Sequence, residues 1–311
     1  MAQKEKKVLV TGVSGFVGSH LCDLLLIKGY KVIGTSFNDK QKAERFKSDK
    51  NFQMVQCDIR NFDNVFKILK KYKPDGVFHT AAILPSKDKD DAPVDFFDVN
   101  TLGTLNLLEV CRLLNIKKFV YSSSTSIYGR NPKCVRANEK FPESPSDFYE
   151  LTKLAGENFC KLYSQRYNVK TIILRYAGVF GPGRRQGAVA VFIKNALLNK
   201  PLHILGNMSW NMVYVKDVAK ANILAFEKLD KLNFEIINIA NNREINIKDL
   251  AKKIIKISGS KSEIKISKSS SSFCLSCSND KAKKILKFKT LSMDQALTEH
   301  IEEIKKDHVT H

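Results

Sequence analysis

Hydrophobic and polar positions repeat along this chain with two different periods. Short apolar runs alternate with longer segments in which apolar residues recur every three or four positions. The runs predict strands over residues 8–11, 31–35, 52–57, 76–80, 118–122, 201–206 and 235–239. The longer segments predict helices over 17–28, 61–72, 94–115, 187–199, 217–229, 247–258 and 292–305, with a further helix beginning near 149.

The order of these elements predicts the fold class. Alternating strands and helices form an α/β domain whose parallel sheet is covered by helices on both faces. We expect this doubly wound domain to occupy residues 1–176, with segments returning to it from the carboxy-terminal half. Residues 177–311 then form a smaller α/β lobe, in which the serine-rich stretch 267–278 is expected to be a loop.

A glycine-rich turn joins the first predicted strand to the first helix. Gly12 permits a tight turn, Gly15 lets a pyrophosphate approach the backbone, and Gly18 allows helix and strand to pack closely. The start of the helix, at Phe16 and Val17, offers unpaired N–H groups and the positive end of its dipole to the phosphates. This strand–turn–helix arrangement predicts a Rossmann-type sheet that binds a dinucleotide.

The end of the second predicted strand should meet the ribose of that dinucleotide. An acidic residue commonly holds the ribose hydroxyls of NAD there, whereas this chain has Ser36, and Asp39 follows too late to be a clear substitute. Lys40, Lys42 and Arg45 either meet a 2′-phosphate or begin a solvated helix. NAD is the expected cofactor, and the sequence leaves NADP open.

The third and fourth predicted strands end in further residues suited to a dinucleotide. Asp58 and Ile59 are placed to touch an adenine ring, and the small Ala81 and Ala82 let the backbone approach the cofactor. His79 is expected to pack within its strand rather than to carry a proton.

Composition narrows the class of partner. Lys and Arg number 52 against 32 Asp and Glu, a formal charge of +20, which suits an anionic ligand, nucleic acid or an anionic surface. The lysines are scattered, as on a solvated face, and are not interleaved with aromatic residues, so a nucleic-acid partner is not expected. The charged Lys4–Lys7 does not resemble a signal peptide, and no run is long enough to span a bilayer.

The seven cysteines are dispersed, which is typical of reduced thiols in the cytoplasm. Cys274 and Cys277 form a single Cys-x-x-Cys pair without further ligands nearby, so no metal site is predicted.

Candidate chemistry appears in the helix that begins near residue 149. Tyr149 and Lys153 lie one turn apart on the same helix face. A tyrosine with a reference pKa of about 10 is a poor base near neutrality, and an ammonium group one turn away favours the phenolate and lowers that pKa. The pair can move a proton to or from a substrate hydroxyl while a hydride passes to a nicotinamide. Ser122 to Ser124, at the end of the fifth strand, add hydroxyls that can orient the same oxygen.

Taken together, the motifs resemble the extended short-chain dehydrogenases/reductases, and within them the nucleotide-sugar epimerase/dehydratase group. The likeness covers nearly the whole chain, and the triple serine is similar to that of UDP-hexose 4-epimerases. The matching segments are Gly12-x-x-Gly15-x-x-Gly18, Asp58-Ile59, His79-x-Ala81-Ala82, Asn100, Ser122 to Ser124 with Tyr128-Gly129, Tyr149-x-x-x-Lys153, Leu174 to Tyr176 with Val179 to Gly183, and Tyr214 to Ala219.

The resemblance assigns roles to individual residues. It implies that Ser124, Tyr149 and Lys153 carry the reaction, and that Lys153 also binds the nicotinamide ribose. Residues and resemblance together predict a cofactor-binding set of Gly12, Gly15, Phe16, Val17, Gly18, Ser36, Asp58, Ile59, Ala81, Ala82, Asn100, Ser122, Tyr149, Lys153 and Tyr176.

The implied reaction is epimerisation at C4 of a UDP-hexose. Tyr149 removes the proton of the C4 hydroxyl as the nicotinamide accepts the hydride, the transient 4-keto sugar turns over, and the hydride returns to its other face. Related 4,6-dehydratases use an Asp-Glu pair just after the catalytic hydroxyl, where this chain has Thr125 and Ser126, so dehydration is not expected. A homodimer through the helices beginning near Val94 and Tyr149 is also implied.

The carboxy-terminal lobe is expected to bind the nucleotide sugar, but it departs from the family pattern. Arginines that usually reach the diphosphate are replaced within Ser209–Met212 and Phe273–Leu275, and Gly178 stands where an asparagine is usual. Arg184 and Arg185 either replace these missing diphosphate-binding arginines or are solvated loop residues. Trp210 either stacks on a base or fills the core. The predicted substrate-binding set is Ser124, Tyr149, Gly178, Arg184, Arg185, His203, Leu205 and Asn211.

These departures leave alternatives open. One is an NADP-dependent reductase or dehydrogenase of nucleotide sugars. Another, of a different class, is a non-catalytic member that senses a dinucleotide or binds nucleic acid. The complete Ser124, Tyr149 and Lys153 set argues against the second, because a sensor has no need of a proton relay.

Overall fold

The computed structural model describes residues 6–38, 41–85, 92–129, 134–184 and 186–309. Its elements are given in chain order. The eleven strands of this described part are β1 Lys7–Thr11, β2 Lys31–Ser36, β3 Phe52–Gln56, β4 Gly76–His79, β5 Lys118–Ser124, β6 Lys170–Tyr176, β7 Gly178–Phe180, β8 Leu202–Tyr214, β9 Phe234–Ile239, β10 Glu244–Asn246 and β11 Ile264–Leu275.

The α-helices of the described residues alternate with these strands. They are α1 Phe16–Ile27, α2 Phe62–Tyr72, α3 Pro93–Phe96, α4 Gly103–Leu113, α5 Phe148–Tyr167, α6 Ala188–Leu197, α7 Val215–Lys228, α8 Ile247–Ser258, α9 Asp280–Leu286 and α10 Met293–Val309. Short 3-10 helices cover Gln41–Phe46 and Thr125–Tyr128.

The larger sheet has seven strands in the order β3-β2-β1-β4-β5-β6-β9. Its pairings from β3 through β5 are parallel, with Leu9 of β1 opposite Ile33 of β2 on one side and Val77 of β4 on the other. The strand order reverses between β1 and β4, which is where ligands bind in sheets of this type. The predicted α/β class with a Rossmann-type doubly wound sheet is therefore confirmed.

Local sequence signals explain where the helices begin and end. The side chain of Asn61 accepts a hydrogen bond from the backbone N–H of Asn64 at the start of α2, and Asp147 does the same for Glu150 at the start of α5. Asn168 ends α5 in the left-handed conformation, which asparagine tolerates better than most residues. The bounds of α5 fix the positions of the candidate catalytic side chains.

The predicted helix over 94–115 is present but is not uniform. α3 is followed by a π-helical segment, Phe97–Leu102, which runs directly into α4. Such segments are often found at functional sites. Asn100 lies in this segment and is buried.

Strands of the larger sheet and the helices packed on them enclose an apolar core. Leu9, Val77 and Phe119 from β1, β4 and β5 pack with Val65 of α2 and Leu107 of α4. These residues occupy the apolar positions of the two sequence periods, so the pattern that predicts the elements also predicts which face each one buries.

The chain divides into two compact units. The first contains residues 1–127, 143–175 and 219–237, and the second contains 128–142, 176–218 and 238–311. In the second unit β8 pairs antiparallel with β10 and parallel with β11 and β7. The prediction of a loop over 267–278 is wrong for most of its length, because β11 pairs with β8, with a break in register between Ser267 and Ser272. Serine is compatible with a strand whose backbone groups are paired in a sheet.

The cysteines also differ from expectation. Cys134 and Cys274 form a disulfide within the second unit, across a sequence separation of 140 residues. The expectation of reduced thiols is therefore wrong for this pair, and it holds for Cys22, Cys57, Cys111, Cys160 and Cys277, which are free and buried. Sequence spacing alone carries no signal for a pair so far apart.

Candidate functional site

A cleft of about 430 Å³ opens in the first unit beside the carboxyl ends of β1, β2, β3 and β4. Its position coincides with the reversal of strand order, and its volume lies in the range of small-molecule sites. Seven members of the predicted cofactor set line it: Gly12, Gly15, Ser36, Asp58, Ile59, Ala81 and Ala82.

The glycines of the turn make space that no side chain could share. Gly12 has a φ of +69°, and a Cβ added there would lie 2.8 Å from the backbone Cα of Ala81. A Cβ on Gly18 would lie 2.2 Å from the carbonyl oxygen of Gly12. The backbone of the turn is therefore bare next to the first amides of α1, as binding of a pyrophosphate requires. These features fit a dinucleotide.

The β2 side of the cleft carries hydroxyl groups. Ser36 is buried, and its Oγ lies 2.6 Å from Oγ of Ser14. Phe37 and Asn38 line the cleft beside them. Among the described residues of this rim, no carboxylate occupies the end of β2, in agreement with the sequence.

Asp58 is held by a neighbour that the sequence analysis did not consider. The guanidinium group of Arg60 donates to both carboxylate oxygens, with Nη2 2.8 Å from Oδ2, and lies 4.9 Å from the centre of the Phe37 ring. Hydrogen bonds from Arg60 lower the pKa of Asp58. Arg60 adds a cation to the lining of the cleft. It directly follows the Asp58-Ile59 motif, a position that sequence reasoning could have examined.

His79 is a packed strand residue, as expected. Its Nδ1 lies 2.8 Å from the hydroxyl of Thr11, and its Nε2 lies 3.0 Å from the hydroxyl of Thr104. Burial lowers the pKa of His79 to about 3, and the charge of Lys153 adds to the effect. The imidazole is therefore neutral at physiological pH.

Asn100 uses its amide within the protein. Its Oδ1 accepts a hydrogen bond from the backbone N–H of Ile83 at 2.9 Å, and its Nδ2 donates to the carbonyl oxygen of Ile83 and to the hydroxyl of Thr152. Ile83 lines the cleft. These contacts tie the segment after β4 to α5, so Asn100 shapes the cleft through Ile83.

The end of β5 places the serines. Ser122 and Ser123 are buried, and Ser124 is half-buried at the start of a 3-10 turn. Oγ of Ser124 lies 2.9 Å from Oγ of Ser126 and accepts a hydrogen bond from the backbone N–H of Ser126. The hydroxyl of Ser124 is thus held in one orientation by its own turn.

Tyr149 and Lys153 lie one turn apart on α5 in the same unit. Tyr149 is half-buried with its ring edge-on to Phe96, whereas Lys153 is only 3% exposed, with its ammonium 4.5 Å from the centre of the Tyr121 ring. Burial lowers the pKa of Lys153 to about 8, and the Glu157 carboxylate opposes that shift. A lysine with a pKa near neutrality is typical of functional sites.

The remaining members of the predicted cofactor set take other positions. Phe16, Val17 and Gly18 begin α1, behind the glycine turn. Tyr176 is buried at the end of β6, in the second unit.

A smaller pocket of about 190 Å³ lies in the second unit. Gly178 and Arg184, both predicted to bind substrate, line it together with Trp210. The indole packs on Gly178, where an added Cβ would lie 3.2 Å from its Cδ1, and Nε of Arg184 donates to the carbonyl oxygen of Gln186. Trp210 therefore forms part of a pocket wall.

The other predicted substrate residues are not in this pocket. His203 and Leu205 are exposed on one face of β8. Asn211 is buried, with its Nδ2 donating to the carbonyl oxygen of Asn241 and its Oδ1 accepting from the backbone N–H of Cys277 at 2.7 Å. Arg185 lies outside the described residues.

Two properties of the described residues bear on function. Among the described residues, no cluster of three or more His, Cys, Asp or Glu side chains could hold a metal ion. Within the same part of the chain, every helix is too short or too polar to cross a membrane.

Comparison with known proteins decides the family. Residues 8–240 match the NAD dependent epimerase/dehydratase family. The chain belongs to this family. A UDP-glucose 4-epimerase of Mycolicibacterium smegmatis is 35% identical over 230 residues, which is 70% of this chain and 72% of that protein.

Solved structures of epimerases agree in fold with this member of the family. The UDP-glucose 4-epimerase of Thermotoga maritima with UDP-glucose has a TM-score of 0.88 at 30% identity, covering 97% of this chain and 99% of that one. The UDP-glucuronic acid 4-epimerase of Bacillus cereus in complex with NAD has a TM-score of 0.83 at 31% identity, covering 96% and 99%.

Proposed function

We propose that the chain is an NAD-dependent nucleotide-sugar epimerase that inverts C4 of a UDP-hexose through a transient 4-keto sugar. The observation that carries the proposal is the presence, in one unit, of a glycine-lined dinucleotide cleft and the Ser124, Tyr149 and Lys153 set. The similar epimerases of Thermotoga maritima and Bacillus cereus support the substrate class and the cofactor.

The cofactor would lie along the cleft, with its pyrophosphate against Gly12 and Gly15 and its adenosine between Ser36 and Ile59. When bound, NAD supplies a nicotinamide ring that accepts a hydride and gives it back. The chain itself has to bind the sugar, orient its C4 oxygen and move one proton.

In this proposal, residues of α5 carry out the proton transfer. Tyr149 takes the proton of the C4 hydroxyl as phenolate and returns it after the keto sugar has turned over. Lys153, buried beside it, stabilises the phenolate by its positive charge. Ser124, held by Ser126, donates a hydrogen bond to the same C4 oxygen. Ser126 and Thr125 carry no carboxyl group, so water elimination lacks an acid at that place.

The nucleotide end of the substrate is proposed to meet the second unit. Arg184 beside Trp210 and Gly178 would supply a cation and a flat apolar wall. His203 and Leu205 on the exposed face of β8 would flank the base. Because a guanidinium binds phosphate oxygens in pairs, Arg184→Ala should raise the KM for the nucleotide sugar much more than it changes kcat.

The decisive experiment identifies cofactor and product. Protein purified without added coenzyme is denatured and the released dinucleotide is identified, and then UDP-, GDP- and dTDP-hexoses are tested for conversion to their C4 epimers. Retained oxidised NAD with epimer formation from a UDP-hexose is the expected result. Exchange of free NADPH with net reduction of the sugar would instead establish the reductase alternative, which the missing acid at Ser36 favours.

A non-catalytic role is tested separately. If the basic surface served nucleic acid, binding would weaken steeply as salt is added, because phosphate contacts release counterions. We expect no binding of duplex or single-stranded probes at physiological salt. Five of the seven cysteines are free thiols, as in cytoplasmic proteins, whereas the Cys134–Cys274 disulfide is typical of oxidising compartments. The cytoplasmic location expected from the sequence stays a prediction, which cell fractionation tests.

We also propose a homodimer through α3 and α5. Val94 is 68% exposed and Phe97 54%, and they line an apolar groove with Phe148 and Leu151. Exposed apolar patches of this kind mark protein contacts, and a second copy would cover each groove with the same residues. Light scattering of the wild type should give twice the chain mass, and Phe97→Asp should give the monomer. A monomeric wild type would contradict the proposal.

A further inference from the structure

A buried ion pair lies beside the candidate catalytic residues, outside the cleft. Nε of Arg175 donates to Oε1 of Glu157 at 3.0 Å, and its Nη2 donates to Oε2 at 2.6 Å. The hydroxyl of Ser123 donates to Oε1 of the same carboxylate at 2.5 Å. Arg175 and Glu157 are 1% and 3% exposed. Removal of two charges from water is costly, so this pair needs an explanation beyond stability.

The three residues come from three adjoining elements. Ser123 is the middle serine of the β5 end, Glu157 lies on α5 one turn after Lys153, and Arg175 lies on β6, next to β5 in the sheet. Tyr149, Lys153 and Glu157 repeat every four residues and therefore share one helix face. The Glu157 carboxylate thus connects the strand that carries Ser124 to the helix face that carries the other two catalytic candidates.

Glu157 also differs in charge from the other groups that interact with Lys153. From β4, His79 is neutral because burial lowers its pKa to about 3. From β5, burial raises the pKa of Tyr121, and on α5 burial raises the pKa of Cys160, so both are neutral near pH 7. Tyr149, on the same face, is the group whose ionisation the reaction uses.

Among the described residues that interact with Lys153, Glu157 is the carboxylate that raises the pKa of the lysine against the effect of burial. Burial alone would favour the uncharged amine. A second carboxylate, Glu143, accepts a hydrogen bond from Nη2 of Arg175 at 2.7 Å. Arg175 with two carboxylates has one negative charge in excess, and the Lys153 ammonium balances it.

We propose that Glu157 is a positioning residue of the reaction: it fastens the serine end of β5 to the helix face of Tyr149 and Lys153 and supplies the counter-charge that keeps Lys153 an ammonium. Only the predictions about kcat and its pH profile rest on the proposed function. Arg175 completes the arrangement by donating to both oxygens of the carboxylate, and Oε1 accepts from Ser123 as well.

Two variants of similar shape separate the role of Glu157 as a counter-charge from its role as a tether. Glu157→Gln keeps the shape and can still accept from Ser123, but it removes the charge. Ser123→Ala keeps the charge and removes the tether. Because a neighbouring charge shifts a pKa by about one unit or more, E157Q should move the alkaline limb of the kcat profile to lower pH by about one unit. At pH 8, where the pKa of about 8 leaves about half of the wild-type lysine charged, kcat of E157Q should fall about fivefold while the KM for the nucleotide sugar stays within about twofold.

S123A should lower kcat at every pH without moving the alkaline limb. Glu157→Asp, which restores the charge on a shorter side chain, should return the limb to its wild-type position. If E157Q shows the wild-type pH profile with a reduced kcat, or if E157D behaves as E157Q does, the counter-charge role is wrong. If S123A turns over as fast as the wild type, the tether role is wrong.

A second measurement keeps the test independent of catalysis. In protein labelled with ¹³C-lysine, the Cε resonance of Lys153 is assigned by its disappearance in Lys153→Met and titrated with pH. Its midpoint should fall by about one unit in E157Q and stay in place in S123A. An unchanged midpoint in E157Q overturns the inference, whereas absence of any epimerase activity in the wild type overturns only the proposed function.

Folding of the variants needs its own control, because E157Q leaves Arg175 with Glu143 as its remaining carboxylate. The double variant Glu157→Gln with Arg175→Met removes the Arg175 cation as well. If the pair served stability alone, the double variant would recover wild-type kcat and the wild-type Lys153 midpoint. We expect the double variant to recover thermal stability but to recover neither the wild-type kcat nor the wild-type Lys153 midpoint.

Discussion

Replacement of Lys153 by Met should stabilise the folded chain at neutral pH while it destroys the reaction. Lys153 is buried, and burial lowers its pKa from 10.5 to about 8 even though Glu157 opposes the shift. The folded state therefore binds the lysine proton less tightly than the unfolded state does. Met fills a similar space with apolar atoms and brings no charge into the core.

The size of the effect follows from the pKa. The difference between 10.5 and about 8, at 1.36 kcal/mol per unit, gives a cost of about 3 kcal/mol for the charged side chain. Below pH 8 both states carry the ammonium, so the full cost is present. As the pH rises from about 8 to 10.5, the folded state loses its proton first, and the cost disappears. The advantage of K153M should therefore be largest at pH 7 and absent near pH 10.5.

Urea unfolding of the two proteins at pH 7, 8.5 and 10 measures this difference. Lys216 is the matched control: burial lowers its pKa, but hydrogen bonds to Glu303 and Glu299 outweigh that and raise it, so Lys216→Met should destabilise. Loss of bound cofactor from K153M would lower its stability by a similar amount at all pH values. The pH dependence of the stability difference thus separates the effect of the lysine charge from the effect of cofactor loss. A difference between wild type and K153M that is the same at pH 7 and pH 10 would refute the reasoning.

Three further substitutions test other parts of the site, and the third of them has a matched control. Tyr149→Phe should reduce turnover at least a hundredfold, since the proton acceptor is lost, while the released dinucleotide, quantified after denaturation, stays at the wild-type level; turnover near wild type would exclude Tyr149 as the base. Ser36→Asp places a carboxylate at the ribose and should weaken NADP at least tenfold relative to NAD in calorimetric titrations; an unchanged ratio would mean that Ser36 does not face the 2′ position. Gly18→Ala forces a Cβ to within 2.2 Å of the Gly12 carbonyl oxygen, which should cost about 1–3 kcal/mol in thermal unfolding. Gly15→Ala, with a 3.0 Å contact to the same oxygen, should cost less, and equal losses would show that the steric argument is wrong.

The fold and the cofactor cleft could be predicted because local sequence determines them. The period of apolar residues sets the element type, and the spacing of Gly12, Gly15 and Gly18 specifies a strand, a turn and a helix in close contact. The positive φ of Gly12 and the packing of Gly18 bear this out. Similarly, a spacing of four residues on one helix places Tyr149 and Lys153 on the same face whatever surrounds them.

Features that depend on distant parts of the chain could not be predicted in the same way. The disulfide joins Cys134 and Cys274 across 140 residues, and β11 forms because β8 offers it a partner. Asn211 is of a residue type that can bind a ligand, but its amide is hydrogen-bonded to the backbone carbonyl of Asn241 and the backbone N–H of Cys277. In each case the partner decides the role, and one sequence without its fold does not show the partner.

The buried charges of the first unit also depend on partners from distant parts of the chain. In the proposed mechanism they determine whether Lys153 keeps its proton. Tyr-x-x-x-Lys supplies a phenol and an amine, but an amine that is 3% exposed would lose its proton too readily to stabilise a phenolate. In our proposal the carboxylate of Glu157, one turn further along α5, prevents this loss, and Arg175 of β6 and Ser123 of β5 hold the carboxylate in place. In the proposed mechanism, the motif works as a base where the sheet brings an anion and its partners next to the helix. A search for this chemistry in other sequences should accordingly ask for the acidic residue four positions after the lysine and for a cation on the neighbouring strand.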